Sequence, residues 1–133
     1  MTHHRGLIDT SVVVDLGVLD PTSLPHQSAI STVTLAELSA GPHATDDPAE
    51  RARRQARLQE AEARLEPLAL NAAAARAYGQ VYAAVAATGR KAREARVLDL
   101  LIAATAIAEQ LPLYTRNPDD FVGLESLLEI VAV

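Results

Sequence analysis

With 133 residues, of which 49% are apolar and only 3% aromatic, the chain predicts one domain over residues 1–133, with a core of Leu, Val, Ile and Ala. The absence of cysteine excludes a disulfide framework and a thiolate metal site, and suits a reducing compartment. The formal net charge of −5 excludes a protein that coats nucleic acid through a basic surface, so any contact with phosphates must be local.

The N-terminal part of the chain predicts two short strands that each lead into a helix. Residues 6–8 form an apolar strand that ends at the acidic side chain of Asp9, and Ser11 can cap the helix that follows. Residues 29–33 predict a second strand before the next helix begins. Glu37 then lies one helical turn beyond that second strand.

The middle of the chain predicts a solvated helix, an edge strand and a further helix. Gly41-Pro42 ends the second helix, and residues 48 to about 64 contain good helix formers with few large apolar side chains. Residues 65–70 predict a third strand, whose proline is typical of a sheet edge. Asn71 caps an alanine-rich helix that ends at Thr88-Gly89.

The C-terminal part predicts a buried helix and two more strands. Residues 99–108 are apolar almost all the way round, which is typical of a helix buried between other elements. Residues 111–115 predict a strand, the chain turns at Asn117-Pro118, and residues 128–133 predict the last strand. Strands that alternate with helices predict an α/β fold, a three-layer αβα sandwich around a mostly parallel sheet of four to five short strands.

No apolar segment has the length of a signal peptide or of a membrane-spanning helix. The N-terminus reaches Asp9 before any long apolar stretch, and no later run approaches the roughly 18 residues that a spanning helix needs. We therefore expect no membrane anchor, no recognisable secretion route and a cytoplasmic location.

Three acidic residues are expected where parallel sheets bind ligands, beyond the carboxyl ends of the strands. Asp9 follows the first strand, Glu37 lies just past the second, and Asp99 begins a buried helix, where a lone carboxylate is costly. Two carboxylates about 5 Å apart repel by roughly 3 kcal/mol at an effective dielectric of 20. A bound cation would remove that repulsion.

Oxygen ligands alone suit Mg²⁺ or Mn²⁺, since zinc sites usually recruit histidine or cysteine. The four histidines show no metal-ligand spacing; they are His3, His4, His26 and His43. A Mg²⁺ or Mn²⁺ ion held by carboxylates can activate a water and neutralise charge on a phosphate oxygen. The chemistry that follows is hydrolysis of a phosphodiester.

Each acidic residue also has a purely structural interpretation. Thr34-Leu-Ala-Glu37 matches a capping box, in which Glu37 reaches back to a backbone N–H. Asp99 can be a carboxylate favoured by the helix dipole, and Asp119-Asp120 can be a solvated turn. Asp9 has the least structural reason to be acidic, because it ends an apolar strand.

Four motifs in this order resemble the PIN-domain nucleases, and most closely the VapC-type toxins of type II toxin–antitoxin systems. They are L-I-D-T-S around Asp9, I-S-T-V-T-L-A-E-L around Glu37, D-L-L-I-A-A-T-A from Asp99, and L-Y-T-R-N-P-D-D-F ending at Phe121. The resemblance spans nearly the whole chain. It implies an endoribonuclease that depends on Mg²⁺ or Mn²⁺ and acts as a toxin.

The resemblance also implies roles for individual residues. Asp9, Glu37 and Asp99 would hold the metal, while Ser11 and Thr115 would support them by hydrogen bonds. Many relatives carry an acidic residue where this chain has Asn117. Asn117 can offer a neutral oxygen or hold a water, and Asp120 can supply the missing charge from the same turn; we favour a supporting role for both.

A short basic connector leads directly to the helix of Asp99, and it can steer a phosphate backbone towards the acidic pocket. The alternative is that Arg93 or Arg96 pairs internally with an acidic residue, Glu94 among the candidates. A second group of arginines predicts a solvated helix face balanced by Glu60 and Glu62. The connector contains Arg90, Lys91, Arg93 and Arg96, and the second group is Arg51, Arg53, Arg54 and Arg57.

The resemblance implies three partners: an RNA substrate, a second copy of the chain in a homodimer, and an antitoxin protein whose C-terminal segment blocks the active site. An arginine of that segment can enter the carboxylate pocket, replace the charge of the metal and exclude Mg²⁺. Binding and inhibition would then be a single event.

Two other classes of function fit parts of the sequence. A phosphoacceptor receiver domain has an acidic metal pocket and a parallel sheet, but it requires a late lysine, and the only lysine is Lys91, outside such a context. A catalytically silent module that uses the same fold for binding alone is the other alternative, because Asn117 can mark a lost site.

Overall fold

The computed structural model describes residues 3–90 and 94–133, with side chains from Arg96 onward in the second range. Within these residues, short parallel strands alternate with α-helices. In chain order they are β1 (Arg5–Ile8), α1 (Thr10–Val14), β2 (Gln27–Ser31), α2 (Thr32–Ala40), α3 (Pro48–Arg64), β3 (Glu66–Leu68), α4 (Ala72–Ala87), α5 (Glu94–Ala108), β4 (Leu113–Thr115) and β5 (Ile130–Ala132).

The strands form one sheet in the order β3-β2-β1-β4-β5, and every neighbouring pair is parallel. β1 is central, with Leu7 opposite Ala29 of β2 and opposite Leu113 of β4. β3, which contains Pro67, lies at the edge as predicted, where the missing N–H of proline breaks no ladder. The predicted parallel αβα sandwich is confirmed.

Alternation along the strands separates two cores, one on each face of the sheet. Leu7 packs with the side chains of α4 and α5, whereas its neighbour Ile8 packs with α1 and α3. Leu113 and Tyr114 of β4 divide in the same way. As predicted, α5 is buried over most of its surface; its fully buried side chains are Leu100, Ile102, Ala103, Ala104, Thr105 and Ala106.

The N-caps of α1 and α2 differ from those that the sequence patterns predicted. Asp9, not Ser11, is the N-cap of α1, because its carboxylate accepts a hydrogen bond from the backbone N–H of Val12. Ser31 caps α2 in the same way, so this helix begins at Thr32 and takes residues that were predicted to extend the strand.

The C-terminal elements also differ in extent from their prediction. α5 begins at Glu94, five residues before the predicted start, because four of the five residues before Asp99 are good helix formers. The strands β3, β4 and β5 are each three residues long and occupy only the part of the predicted apolar runs that pairs with a neighbour. The limits of α3 and the caps at Asn71 and Thr88 are as predicted.

Within the described part of the chain, none of the helices combines the length and the apolar character needed to cross a bilayer.

Two glycines offer a matched test of this packing. Gly123 has φ of +100°, and a Cβ built there would lie 2.7 Å from the Thr88 side chain at the end of α4. Gly123→Ala should therefore reduce the free energy of unfolding by about 1–3 kcal/mol. Gly79→Ala, in a part of α4 with open space around it, should increase that free energy by up to about 1 kcal/mol. Urea denaturation of both variants measures the two effects, and equal stability of both variants would contradict the packing.

Candidate active site

The candidate site lies at the carboxyl ends of β1 and β4, where the order of the strands reverses. The chain leaves β1 towards β2 and β3 on one side, and β4 and β5 occupy the other side. Such a reversal opens a crevice beyond the strand ends. The backbone N–H of Asp9 donates to the carbonyl of Tyr114 over 3.0 Å, which fixes the start of the crevice.

Asp9 is fixed by hydrogen bonds on one side of its carboxylate. The side chain is 4% exposed, and its Oδ1 accepts from the hydroxyl of Ser11 over 2.5 Å and from the backbone N–H of Val12 over 3.2 Å. Ser11 in turn accepts from the backbone N–H of Arg116 over 3.1 Å, which links the ends of β1 and β4. Capping α1 is a structural reason for the acid at this position, contrary to the expectation from the sequence.

Glu37 lies beyond the first turn of α2, so the capping-box interpretation is wrong. The N-cap is Ser31, and Thr34 is inside the helix. Oε1 of Glu37 instead accepts a hydrogen bond from the hydroxyl of Thr10 over 2.8 Å. Thr10 also lies 3.0 Å from the hydroxyl of Thr34. Thr10 was not among the residues predicted from the sequence, although it lies within the motif around Asp9.

Asp99 is the sixth residue of α5, so it is not a carboxylate of the first turn as the structural alternative required. The pKa of this half-buried carboxyl is raised to about 6, chiefly by burial and then by the charges of Asp120, Glu37 and Asp9 in that order. The guanidinium of Arg96 acts in the opposite direction. Carboxylates from three other segments are thus close enough to Asp99 to raise its pKa.

A buried hydrogen bond holds the two helices of this site together. The hydroxyls of Ser31, at the start of α2, and Thr105, in α5, lie 3.1 Å apart, and both side chains are fully buried. This bond keeps the helix of Glu37 and the helix of Asp99 in a fixed relation. Sequence periodicity contains no signal for such a contact, because the two residues are 74 positions apart.

The turn after β4 gives different positions to Asn117 and Asp120, the two candidates for the fourth polar group of the site. Asn117 is exposed, and its backbone N–H donates to the hydroxyl of Thr115 over 3.0 Å. The hydrogen bond of Thr115 therefore supports the turn and not a carboxylate, which corrects the expected role of this residue. Asp120 lies in the 3₁₀ turn Pro118–Phe121, and it is the acidic residue with the largest effect on the pKa of Asp99.

The basic connector is partly used inside the protein. Arg90 donates to the backbone carbonyl of Asp119 over 3.1 Å, and Arg96 donates to that of Asp120 over 3.2 Å. Arg96 also forms an ion pair with the carboxylate of Asp120, so the acidic partner in the described structure is Asp120. The predicted contacts of Lys91 and Arg93 lie outside the described residues, as does the side chain of Glu94.

The arginines of α3 are balanced mainly by one acid, which differs from the prediction. Arg53 and Arg54 both pair with Glu50, not with Glu60 or Glu62. Arg51 donates instead to backbone carbonyls. Arg57 makes no ion pair or hydrogen bond with the described residues and lines a cleft of about 380 Å³; the other residues of this cleft are Thr10, Val14, Glu37, Leu38, Gly41, Glu50 and Arg54.

The donor set suits a hard cation, since every candidate ligand offers a carboxylate oxygen. The repulsion at Asp99 is the kind of cost that such a cation relieves. Across residues 3–90 and 94–133, however, no group of three or more acidic or histidine side chains is arranged so that it could already hold a metal ion. The chemistry of these residues fits a divalent cation, but their side chains would have to move closer together to bind it.

Comparison with known proteins shows similarity along the full length of the chain. The family model described as PIN domain matches residues 7–124. Over 137 aligned residues the chain is 37% identical to Ribonuclease VapC5 of Mycobacterium tuberculosis (strain ATCC 25618 / H37Rv), covering 99% of this chain and 98% of that protein. The predicted resemblance is therefore confirmed.

Solved structures show the same fold. The crystal structure of VapBC-5 from Mycobacterium tuberculosis, a member of the VapBC family of toxin–antitoxin systems, matches with a TM-score of 0.85 and 36% identity, covering 98% of this chain and 99% of that chain. VapBC2 from Rickettsia felis, bound to a DNA fragment from their promoter, matches with a TM-score of 0.75 and 25% identity, covering 97% and 98%.

The raised pKa of Asp99 predicts a stability that depends on pH. Below the ordinary pKa of 3.8 the carboxyl is protonated in both folded and unfolded chains, so it costs nothing. As the pH rises towards 6, the unfolded chain loses the proton first, and the folded state is progressively destabilised.

At about pH 7 and above, Asp99→Asn should therefore raise the free energy of unfolding by roughly 1 kcal/mol. This is less than the pKa shift alone would give, because solvent screens this partly exposed group. Near about pH 3, below the ordinary pKa, the variant and the parent protein should differ little in stability. Urea denaturation in the presence of EDTA measures both. A variant that is destabilised at neutral pH would contradict the repulsion.

Proposed function

We propose that this chain, which belongs to the PIN-domain family, is an endoribonuclease that acts as the toxin of a toxin–antitoxin pair. The observation that carries the proposal is the convergence of four carboxylates, from Asp9, Glu37, Asp99 and Asp120, at the sheet crevice. The full-length similarity to a protein named Ribonuclease VapC5 supports RNA as the substrate. Clustered carboxylates destabilise the folded state, so their presence together at this crevice indicates a functional role.

Asp9, Glu37 and Asp99 would hold a Mg²⁺ or Mn²⁺ ion, with Asp120 as an additional source of negative charge. Such an ion, when bound, activates a water for attack on the phosphodiester and neutralises the charge that develops on the phosphate oxygens. In this arrangement Asn117, exposed at the mouth of the crevice, contacts substrate or solvent and does not take the place of an acid.

The residues around the carboxylates orient them. Ser11 and the N-terminus of α1 hold Oδ1 of Asp9, so its Oδ2 keeps its lone pairs free of hydrogen-bond donors within the described residues. The hydroxyl of Thr10 holds Oε1 of Glu37. These bonds restrict the rotamers of both carboxylates, so less reorganisation is needed when the carboxylates close around an ion.

Arg57 is the cation that we assign to the RNA backbone. It shares a cleft with Glu37 and has no acidic partner in the described structure, whereas Arg90 and Arg96 donate to backbone carbonyls. A free guanidinium beside the acidic crevice can bind a phosphate next to the cleaved one. This use of a local cation is compatible with the net charge of −5.

An antitoxin protein is the proposed regulatory partner, since the solved relative VapBC-5 is a toxin–antitoxin family member. An arginine from its C-terminal segment would enter the crevice and pair with Asp99 and its acidic neighbours. We also propose a homodimer as the assembly of the toxin, by analogy with the family.

Replacement of single carboxylates by amides tests the catalytic proposal. Asp9→Asn and Asp99→Asn should each reduce the Mg²⁺-dependent cleavage of RNA on the order of a hundredfold or more, because each removes a negative ligand. Folding should persist, since asparagine caps a helix as well as aspartate does at position 9, and the change at position 99 removes a repelled charge. Asp46→Asn, at an exposed loop position, is the control. Full activity in both site variants would refute these carboxylates as metal ligands, whereas a folded parent protein that shows no Mg²⁺-dependent cleavage would favour a silent binding module.

A phosphate contact by Arg57 predicts a specific kinetic change. Arg57→Ala should raise the KM for RNA several-fold with little change in kcat, and the effect should shrink at high salt. Arg53→Ala, which removes an arginine of the same helix that pairs with Glu50, should leave both constants unchanged. Equal effects of the two substitutions would show that α3 contributes only general charge.

Competition between the metal and the antitoxin tests the proposed inhibition. If an antitoxin arginine replaces the charge of the metal, excess Mg²⁺ should weaken inhibition by a peptide of the antitoxin C-terminus in a cleavage assay. Inhibition that is indifferent to the Mg²⁺ concentration would exclude this mechanism while leaving the ribonuclease proposal intact.

A further inference from the structure

Arg96 contacts the acidic turn at two points. Its Nη1 donates to the backbone carbonyl of Asp120 over 3.2 Å, while its Nη2 lies 3.9 Å from Oδ1 of the same residue. The side chain is 29% exposed, so most of it is packed against the protein. A single guanidinium therefore hydrogen-bonds to the main chain of Asp120 and forms a looser ion pair with its carboxylate.

We propose that Arg96 is a positioning residue, which holds Asp120 against Asp99 and so supplies the fourth carboxylate that Asn117 does not provide. This inference rests on the proposed function of the same crevice. It assigns to Arg96 a role inside the site, in place of the contact with substrate that its position in a basic connector suggested.

The position of Arg96 on α5 makes this role possible. Arg96 and Asp99 are three residues apart, so they lie on neighbouring turns of one face of the same helix. The helix is anchored in the core through residues such as Leu100 and Ile102, which are fully buried. The guanidinium therefore projects from a rigid element and can set the distance between the acidic turn and Asp99.

The turn is held by the hydrogen bond to Thr115 at its start, and its acidic residues are held by contacts from outside it. Asn117, its first cap residue, makes no side-chain hydrogen bond to the turn, and the buried ring of Phe121 anchors only the C-terminal end. Arg90 reaches the carbonyl of Asp119, and no ion pair joins it to the carboxylate of Asp120 in the described structure. Arg96 is thus the residue that orients both the backbone and the acid.

The charge of Arg96 serves the same purpose. Asp120 and Asp99 repel each other, and a cation between the helix and the turn offsets part of that repulsion. An arginine reserved for RNA would keep its N–H groups free for phosphate, whereas Arg96 already donates one of them to the carbonyl of Asp120.

A double-mutant cycle between Arg96→Met and Asp120→Asn tests the proposal. Two quantities are measured for each protein: the kcat and KM for a short RNA, and the rise in melting temperature that Mn²⁺ causes without RNA. Arg96→Met should lower kcat by about tenfold and weaken the affinity for Mn²⁺ by a similar factor, with KM for RNA unchanged. In the Asp120→Asn background, Arg96→Met should have no further effect on either quantity.

Two further variants complete the design. Arg76→Met removes an exposed arginine of α4 that makes no ion pair or hydrogen bond with the described residues, and it should change neither quantity. Arg96→Lys keeps the positive charge and should recover part of the loss, because an ammonium can pair with Asp120 but cannot contact its carbonyl and carboxylate together. It also serves as the test variant if Arg96→Met does not fold.

Three results would overturn the proposal. One is a rise in KM for RNA at constant kcat in Arg96→Met, with the same rise in the Asp120→Asn background, which would make Arg96 a substrate contact. Another is additive losses of Mn²⁺ affinity in the cycle. The third is a parent protein that binds no Mn²⁺. A parent protein that binds Mn²⁺ without cleaving RNA would contradict only the proposed function. In that case the double-mutant cycle on Mn²⁺ affinity would still test Arg96.

Discussion

The repulsion of Asp99 by three other carboxylates is the constraint on which the account of this site depends. Asp99 experiences the charges of Asp120, Glu37 and Asp9, and its partial burial increases their effect. The fold must keep these groups together against that repulsion. It does so with a central strand buried on both faces, a helix whose inner side chains are inaccessible, and hydrogen bonds from Ser11 and Thr10.

The hydrogen bonds that hold the site join residues that are either very close in the sequence or very far apart in it. Asp9 is held by residues two and three positions away, which the strand-to-helix corner brings together locally. The bond between Ser31 and Thr105, and the contact of Arg96 with Asp120, require the complete fold. The acidic crevice is therefore assembled only when the sheet and α5 are in place.

The architecture was predictable because periodicity and caps agree over most of the chain. The limits of α3, the edge position of β3 and the cap at Asn71 follow from composition, a proline and a capping side chain, all of which are local. The start of α2 was not predictable in this way, since two adjacent residues can serve as caps and the choice of Ser31 depends on its hydrogen bond.

The acidic residues of the site were predictable from the sequence, but their contacts were not. The order of the motifs identified the acids, but the partners of Thr115 and Arg96 depend on contacts between distant segments that no periodicity reveals. The exposed position of Asn117 and the proximity of Asp120 to Asp99 likewise depend on how the turn after β4 packs. Local patterns carry no information about that packing.

The most direct measurement of the central constraint is a ¹³C NMR titration of the Asp99 carboxyl, carried out with and without Mg²⁺. Without metal, we expect a pKa of about 6, and with saturating Mg²⁺ we expect a pKa below the ordinary value of 3.8. A pKa already at 3.8 in the metal-free protein, or one that Mg²⁺ leaves unchanged, would contradict a cation site built on carboxylate repulsion.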